Sequence, residues 1–162
     1  AMGDAYPDSA VDDVVFWMVG QGRLGRKSKS GFYAYDEAGK RLGLWDGLAA
    51  KFPVAEDQPD LTTVQHRLMF AQALEAVRAL EDGVLTDIRE GDVGAILGWG
   101  FAPWSGGPFG WLDMLGAAYA ADRCDHLAEA FGDRFACPAL LREMADKGQS
   151  FYGRFGPAKK AA

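Results

Sequence analysis

Apolar positions recur with helical period along most of the chain. Val11, Val14, Val15 and Met18 follow the i, i+3, i+4, i+7 spacing of one helix face. Asp8 or Ser9 stands where such a helix is capped, and Gly20 and Gly22 end it. Phe16, Trp17 and Val19 widen the stripe until little polar surface is left, so this helix is expected to be buried. It has few partners at the head of a short chain, and two explanations stand: preceding sequence has been removed, or the face meets another molecule. A Gly-, Lys- and Arg-rich loop then runs to Gly31. Phe32 to Tyr35 and Arg41 to Trp45 flank a polar turn and predict a small hairpin, which must pack on helices to be stable. Residues 46–60, with Pro53 and Pro59, read as irregular.

The strongest periodicity spans 61–82. There Gln72, Glu75 and Arg78 form one narrow polar stripe on an otherwise apolar helix, stopped by Gly83. Asp87 with Glu90 resembles a capping box, before a short helix over 92–97. Pro108 opens a helix that ends at Gly116, residues 117–131 form the next, and Pro138 opens a last one stopped by Gly148. The prediction is an all-α helical bundle with a small hairpin and an irregular N-terminal linker. An echo links its ends. Met18-x-x-x-Gly22 leads to Phe32-Tyr33, and Met144-x-x-x-Gly148 leads to Phe151-Tyr152. It is either coincidence or the trace of a duplicated helical unit.

Composition narrows the function. The net charge of −6 disfavours a nucleic-acid partner, which would need many Lys/Arg–phosphate contacts. Cys124 and Cys137 have neither zinc nor disulfide-framework spacing, so free, buried thiols and a cytoplasmic setting are expected. The longest apolar run, 14–19, is far too short to span a bilayer. The chain contains no Asn, which removes N-glycosylation and any mechanism using that side chain. Gly20-x-Gly22-x-x-Gly25 matches a dinucleotide fingerprint by letter, but a helix precedes it where a strand is required. Arg23, Arg26, Lys27 and Lys29 form the one dense basic run: either a solvated loop or a phosphate contact. Residues 97–108 (LGWGFAPWSGGP) form a tight Gly- and Trp-rich turn, either packing Trp99 and Trp104 or facing a ligand. His66 and His126 lack metal-type neighbours, and no carboxylate pair is placed for acid–base work by spacing alone. No metal site is expected.

GRLGRKSKSGFY (22–33) and LGWGFAPWSGGP (97–108), with LWDGL (44–48) and FACPALLREMADKG (135–148), resemble the C-terminal helical region of 3-hydroxyacyl-CoA dehydrogenases in its tandem form. That form is found in the multifunctional α-subunit of fatty-acid β-oxidation. The resemblance implies a parent enzyme that oxidises 3-hydroxyacyl-CoA with NAD, with Rossmann and enoyl-CoA hydratase parts elsewhere. It assigns residues 1–35 to the end of a preceding helical unit, 36–60 to a linker, 61–156 to the C-terminal helical domain and 157–162 to a tail. It implies a cofactor contact at Lys27 and an acyl-CoA contact at Leu97, with no catalytic residue in the chain. Lys29 stands where the family has Gly, and Leu97 where a Tyr can occur. No cofactor is then expected to bind this chain alone. Its expected partners are the rest of the parent, acyl-CoA substrate, a thiolase subunit and a second copy of itself. The competing reading is a free-standing helical interaction module.

Overall fold

The computed structural model describes residues 10–157, so the Asp8 or Ser9 cap and most of the 157–162 tail lie outside the described residues. The chain divides into two compact units, one up to Gln58 and one from Pro59. No helix among the described residues is long and apolar enough to cross a membrane.

In the first unit, α1 (Ala10–Gly20) leads through a 3-10 turn (Arg26–Ser28) to β1 (Tyr33–Tyr35), β2 (Arg41–Leu44) and α2 (Asp46–Lys51). The strands pair antiparallel as predicted, with Tyr33 opposite Leu44 and Tyr35 opposite Arg41. Two expectations fail. Residues 46–51 are helical, because Asp46 suits the first turn and Pro53 follows only after the helix has ended. The α1 helix is not buried all round: Met18 is buried, but Val15, Phe16 and Val19 are exposed. The small core is aromatic instead. Trp17 stacks on Trp45 at 5.6 Å between ring centroids and meets Phe52 edge-on at 5.3 Å.

The second unit holds α3 (Leu61–Glu81), α4 (Ile88–Trp99), a 3-10 turn (Pro103–Ser105), α5 (Pro108–Leu115), α6 (Ala117–Phe131), a 3-10 turn (Asp133–Phe135), α7 (Ala139–Asp146) and α8 (Phe151–Phe155). This is the predicted helical architecture. The α3 helix starts because the Asp60 carboxylate accepts the Thr63 N–H at 2.9 Å. Its buried stripe, Phe70, Ala73, Leu74 and Val77, has the i, i+3, i+4, i+7 spacing of one face. That stripe is narrower than expected, since Leu61 and Leu68 are exposed. The stripe meets Phe109, Trp111 and Leu112 of α5, and Ala120, Cys124 and Leu127 of α6, in one core. The α4 helix begins at Ile88 rather than Asp92, because Asp87 caps it by accepting the Arg89 N–H at 2.9 Å. Sequence periodicity misses this first turn, where Ile88 alone is apolar. It also misses α8, whose five residues are too few to show a period.

The starts of α5, α7 and α8 follow one rule. The N-terminus of α5 follows Gly107 and that of α7 follows Pro138, and neither preceding residue caps through a side chain. Carboxylates from other helices supply the missing acceptors: Asp92 of α4 for α5, and Glu81 of α3 for α7 through the Leu140 N–H. The α8 helix has its own Ser150 cap and also receives Asp113 of α5. Orphan N–H groups at a helix start must find acceptors, and a carboxylate also complements the positive end of the helix dipole.

Candidate functional site

The Gly- and Trp-rich turn is the most exposed aromatic surface of the second unit. Gly100 ends α4 in the left-handed region, and the Phe101 N–H then reaches the Ala95 carbonyl at 3.1 Å. This reversal drops Phe101 into the core. The two tryptophans go the other way. Trp99 is 63% exposed and Trp104 71%, which overturns the reading that they are packing residues. The core positions they were expected to fill are taken by Phe101, Phe109 and Trp111. The Trp99 indole N–H donates to the Gln72 side-chain oxygen at 3.0 Å, which orients its ring over α3. Gln65, His66, Leu68, Met69, Trp104 and Trp111 line an apolar-walled cavity of about 330 Å³. His66 meets the rings of Phe70, Trp111 and Tyr119 edge-on. Burial, and then the Arg123 charge, hold its pKa below the usual imidazole value, so it is neutral at pH 7. His126 is exposed beside Asp122.

The turn is held from behind by one buried carboxylate. Asp92 accepts the Phe109 N–H at 2.7 Å, the Gly110 N–H at 3.1 Å and the Tyr152 hydroxyl at 2.8 Å. Asp113 of α5 accepts the Phe151 N–H at 2.6 Å and the Tyr152 N–H at 2.9 Å. The bonds form a closed circuit: α4 caps α5, α5 caps α8, and α8 returns to α4. Gly107 makes the circuit possible, because a Cβ there would fall 2.4 Å from the Asp92 Cβ. Burial pushes the Asp92 pKa above the usual carboxylate range, against the three donors that favour its charged form. Tyr152 is pushed up to about 12, first by burial and then by its bond to Asp92. Its hydroxyl therefore stays protonated as a donor. Every polar atom in the circuit is engaged in bonding helices, so the arrangement fixes shape and is not set up to move protons.

In the first unit, Arg23 organises the basic loop. Its guanidinium donates to the Gly31 carbonyl at 2.8 Å and the Tyr33 carbonyl at 3.1 Å, and lies 4.1 Å from the centre of the Trp45 ring. Lys27 is exposed on the 3-10 turn. Lys29 has φ +51, the left-handed conformation for which Gly is the usual residue, and its ammonium donates to the Glu37 carbonyl at 2.7 Å. The loop thus keeps the backbone conformation that a Gly would give it, with a Lys in place.

Leu97 is 80% exposed near the end of α4 and belongs to the second unit, while Lys27 belongs to the first. Asp92, Asp113 and Tyr152 escaped the sequence reading. Their partners lie 17 to 60 positions away, and spacing along the chain carries no trace of such pairs. Both cysteines are free, Cys124 buried and Cys137 half-buried. The neighbouring Cys137 thiol, and then burial, push the Cys124 pKa up, so it stays protonated. Among the described residues no three His, Cys, Asp or Glu side chains gather as a metal site.

Residues 64–154 match the family of the 3-hydroxyacyl-CoA dehydrogenase C-terminal domain. The chain is also 38% identical over 138 residues to the fatty acid oxidation complex subunit alpha of Shewanella loihica, covering 83% of this chain and 19% of that protein. The subunit of the same name from Pseudomonas savastanoi pv. phaseolicola is 38% identical over 162 residues, covering 94% and 22%. That from Vibrio vulnificus is 38% identical over 141 residues, covering 86% and 20%. The chain spans about a fifth of the length of these relatives. The matched stretch includes α4, the Trp-bearing turn and the whole Asp92–Asp113–Tyr152 circuit, and on this evidence the chain belongs to the 3-hydroxyacyl-CoA dehydrogenase C-terminal domain family.

Proposed function

We propose that this chain is a C-terminal helical part of an NAD-dependent 3-hydroxyacyl-CoA dehydrogenase of fatty-acid oxidation, which shapes and braces the enzyme and has no catalysis of its own. The observation that carries this reading is the family match over 64–154, joined to a site whose polar groups are all spent on holding helices together. The relatives' name, subunit alpha of a fatty acid oxidation complex, supports the same parent. In that parent, residues 1–35 end a preceding helical unit, 36–60 link, and 61–156 form the helical domain. Lys27, exposed and cationic, is the residue proposed to reach the NAD cofactor. Leu97, exposed and apolar, is proposed to touch acyl-CoA. The exposed Trp99 and Trp104 favour a turn that faces another surface or ligand over one that merely packs. Residues of the missing parts, a thiolase subunit and a second copy are the proposed partners, in the cytoplasm.

The test is turnover. Mixed with a 3-hydroxyacyl-CoA and NAD, this chain is expected to give no NADH absorbance above the blank. Measurable turnover would put an acid–base centre within these helices and defeat the reading.

A further inference from the structure

The fold brings the two cysteines of the chain together, and the proposed activity gives them no role. Cys124 lies on the core face of α6 with Ala120 and Leu127, and is fully buried. The α6 helix ends before Gly132, and the 3-10 turn reverses the chain around buried Phe135. Cys137 follows, next to the Pro138 that precedes α7. Because α7 packs back against α6, Cys137 comes to rest on the core of which Cys124 is a member. It is half-buried, and its thiol lies 3.6 Å from the Pro138 carbonyl. A second tie crosses the same helix pair: Arg142 of α7 is ion-paired with Asp125, the residue after Cys124. The two sulfurs have unequal surroundings. The neighbouring Cys124 thiol holds the Cys137 pKa below the ordinary thiol value; burial opposes this, and the Arg142 charge adds to it. Cys137 is thus the more accessible sulfur and the one with more thiolate character.

We propose that Cys137 and Cys124 are a peroxide-responsive pair, which closes a reversible disulfide between α6 and the start of α7. Cys137 is the attacking sulfur and Cys124 the resolving one. In the first step the Cys137 sulfur bonds to one oxygen of hydrogen peroxide and the O–O bond breaks. The sulfur is oxidised to a sulfenic acid, the peroxide is reduced, and the departing hydroxide takes up a proton as water. In the second step the Cys124 sulfur bonds to the Cys137 sulfur and the S–O bond breaks. The departing hydroxide takes the Cys124 proton, so that two thiols and one peroxide give one disulfide and two waters. The packing of α7 on α6 meets the first demand of a disulfide, that the two backbones already stand close. Burial keeps peroxide from Cys124, and a resolving thiol at hand spares Cys137 from irreversible oxidation. In a reducing compartment the bond is transient, because a dithiol returns both cysteines to thiols.

The experiment treats the folded full chain with hydrogen peroxide, blocks the remaining thiols by alkylation and reads the tryptic peptides by mass. Cleavage after Arg123 and Arg134 places the two cysteines on separate peptides. The expected product is those two peptides joined, lighter than their sum by two hydrogen atoms, on a chain that stays monomeric in a non-reducing gel. Dithiothreitol should restore both thiols. Cys124→Ala should leave the Cys137 sulfenic acid unresolved and open to trapping by dimedone, whereas Cys137→Ala should leave Cys124 unoxidised. Circular dichroism checks that both variants fold, and the unsubstituted chain decides the matter if either does not. The urea midpoint of the oxidised chain should rise and fall back on reduction. Sulfinic acid on Cys137 with no joined peptides overturns the proposal. So does a disulfide between two chains, one that forms only in urea, or a midpoint lowered by oxidation. Oxidation of Cys124 in Cys137→Ala at the rate of Cys137 in the unsubstituted chain would overturn the assignment of the two roles.

Discussion

The two Met-x-x-x-Gly turns end their helices in the same way and then part. At the end of α1 the Arg23 N–H reaches the Met18 carbonyl at 3.0 Å and the Gly22 N–H the Val19 carbonyl at 2.9 Å. At the end of α7 the Gln149 N–H reaches the Met144 carbonyl at 2.9 Å and the Gly148 N–H the Ala145 carbonyl at 3.2 Å. Both are Schellman motifs, with a buried Met three residues inside the helix end and Gly at φ +69 or +61. The Phe-Tyr pairs that follow share no such fate. Phe151 is 1% exposed and opens α8 against Phe109, while Phe32 is 42% exposed and leads into β1. The Tyr152 hydroxyl closes the carboxylate circuit, and Tyr33 lies under Arg41 at a hairpin edge. A helix end is written by neighbouring residues; what happens to the next two aromatics depends on which acceptors and rings the fold brings to them.

The largest break in the symmetry should come from the phenylalanines. Phe151→Ala removes a fully buried ring and should cost about 3–5 kcal/mol, whereas Phe32→Ala should cost under about 1 kcal/mol. Urea unfolding followed by circular dichroism measures both, and similar losses would mean that Phe32 is as deeply engaged as Phe151. Next comes Tyr152→Phe, which takes one donor from a buried carboxylate and should cost about 1.5–3 kcal/mol near pH 7. The sign with pH follows from Asp92. Its folded pKa is already raised, so its contribution to stability is fully present below the unfolded value and declines as pH rises toward the folded one. The Tyr152 hydroxyl favours the charged form, so its loss should raise the Asp92 pKa further and shrink the deficit as pH falls. Carboxyl-carbon NMR titration of Asp92 in the two proteins reads this, and an unchanged or lower pKa would contradict it. Below the effects at Phe151 and Tyr152 comes the one the two helix ends share. Gly22→Ala and Gly148→Ala each force a Cβ into the left-handed region, at about 1–2 kcal/mol. Hydrogen exchange of the Arg23 and Gln149 amides should accelerate by about tenfold in the matching variant. A large effect at one site only would show that the two helix ends are alike in geometry but not in energy.

The same division runs through the rest of the molecule. The bounds of α6 were legible to the residue, because Gly116 and Gly132 flank a clean amphipathic stretch. The hairpin and the start of α5 at Pro108 were legible for equally local reasons. The tryptophans were not. Their size suggested burial, yet the left-handed Gly100 turned Phe101 inward and left Trp99 and Trp104 outside. The family was legible in the two Gly-rich motifs because each is a run of backbone and packing demands that few sequences meet by chance.

By itself the sequence determined the bounds of α6, the start of α5, the Gly-stopped ends of α1 and α7, and the family to which the chain belongs. These follow from interactions within a few residues: a cap, a positive φ, a period of 3.6. Only the tertiary structure decided that Asp92, Asp113 and Tyr152 form one circuit, and that Cys124 and Cys137 are neighbours. Hydrogen bonds and side-chain contacts depend on separation in space, and a folded backbone sets that separation with no regard to distance along the chain.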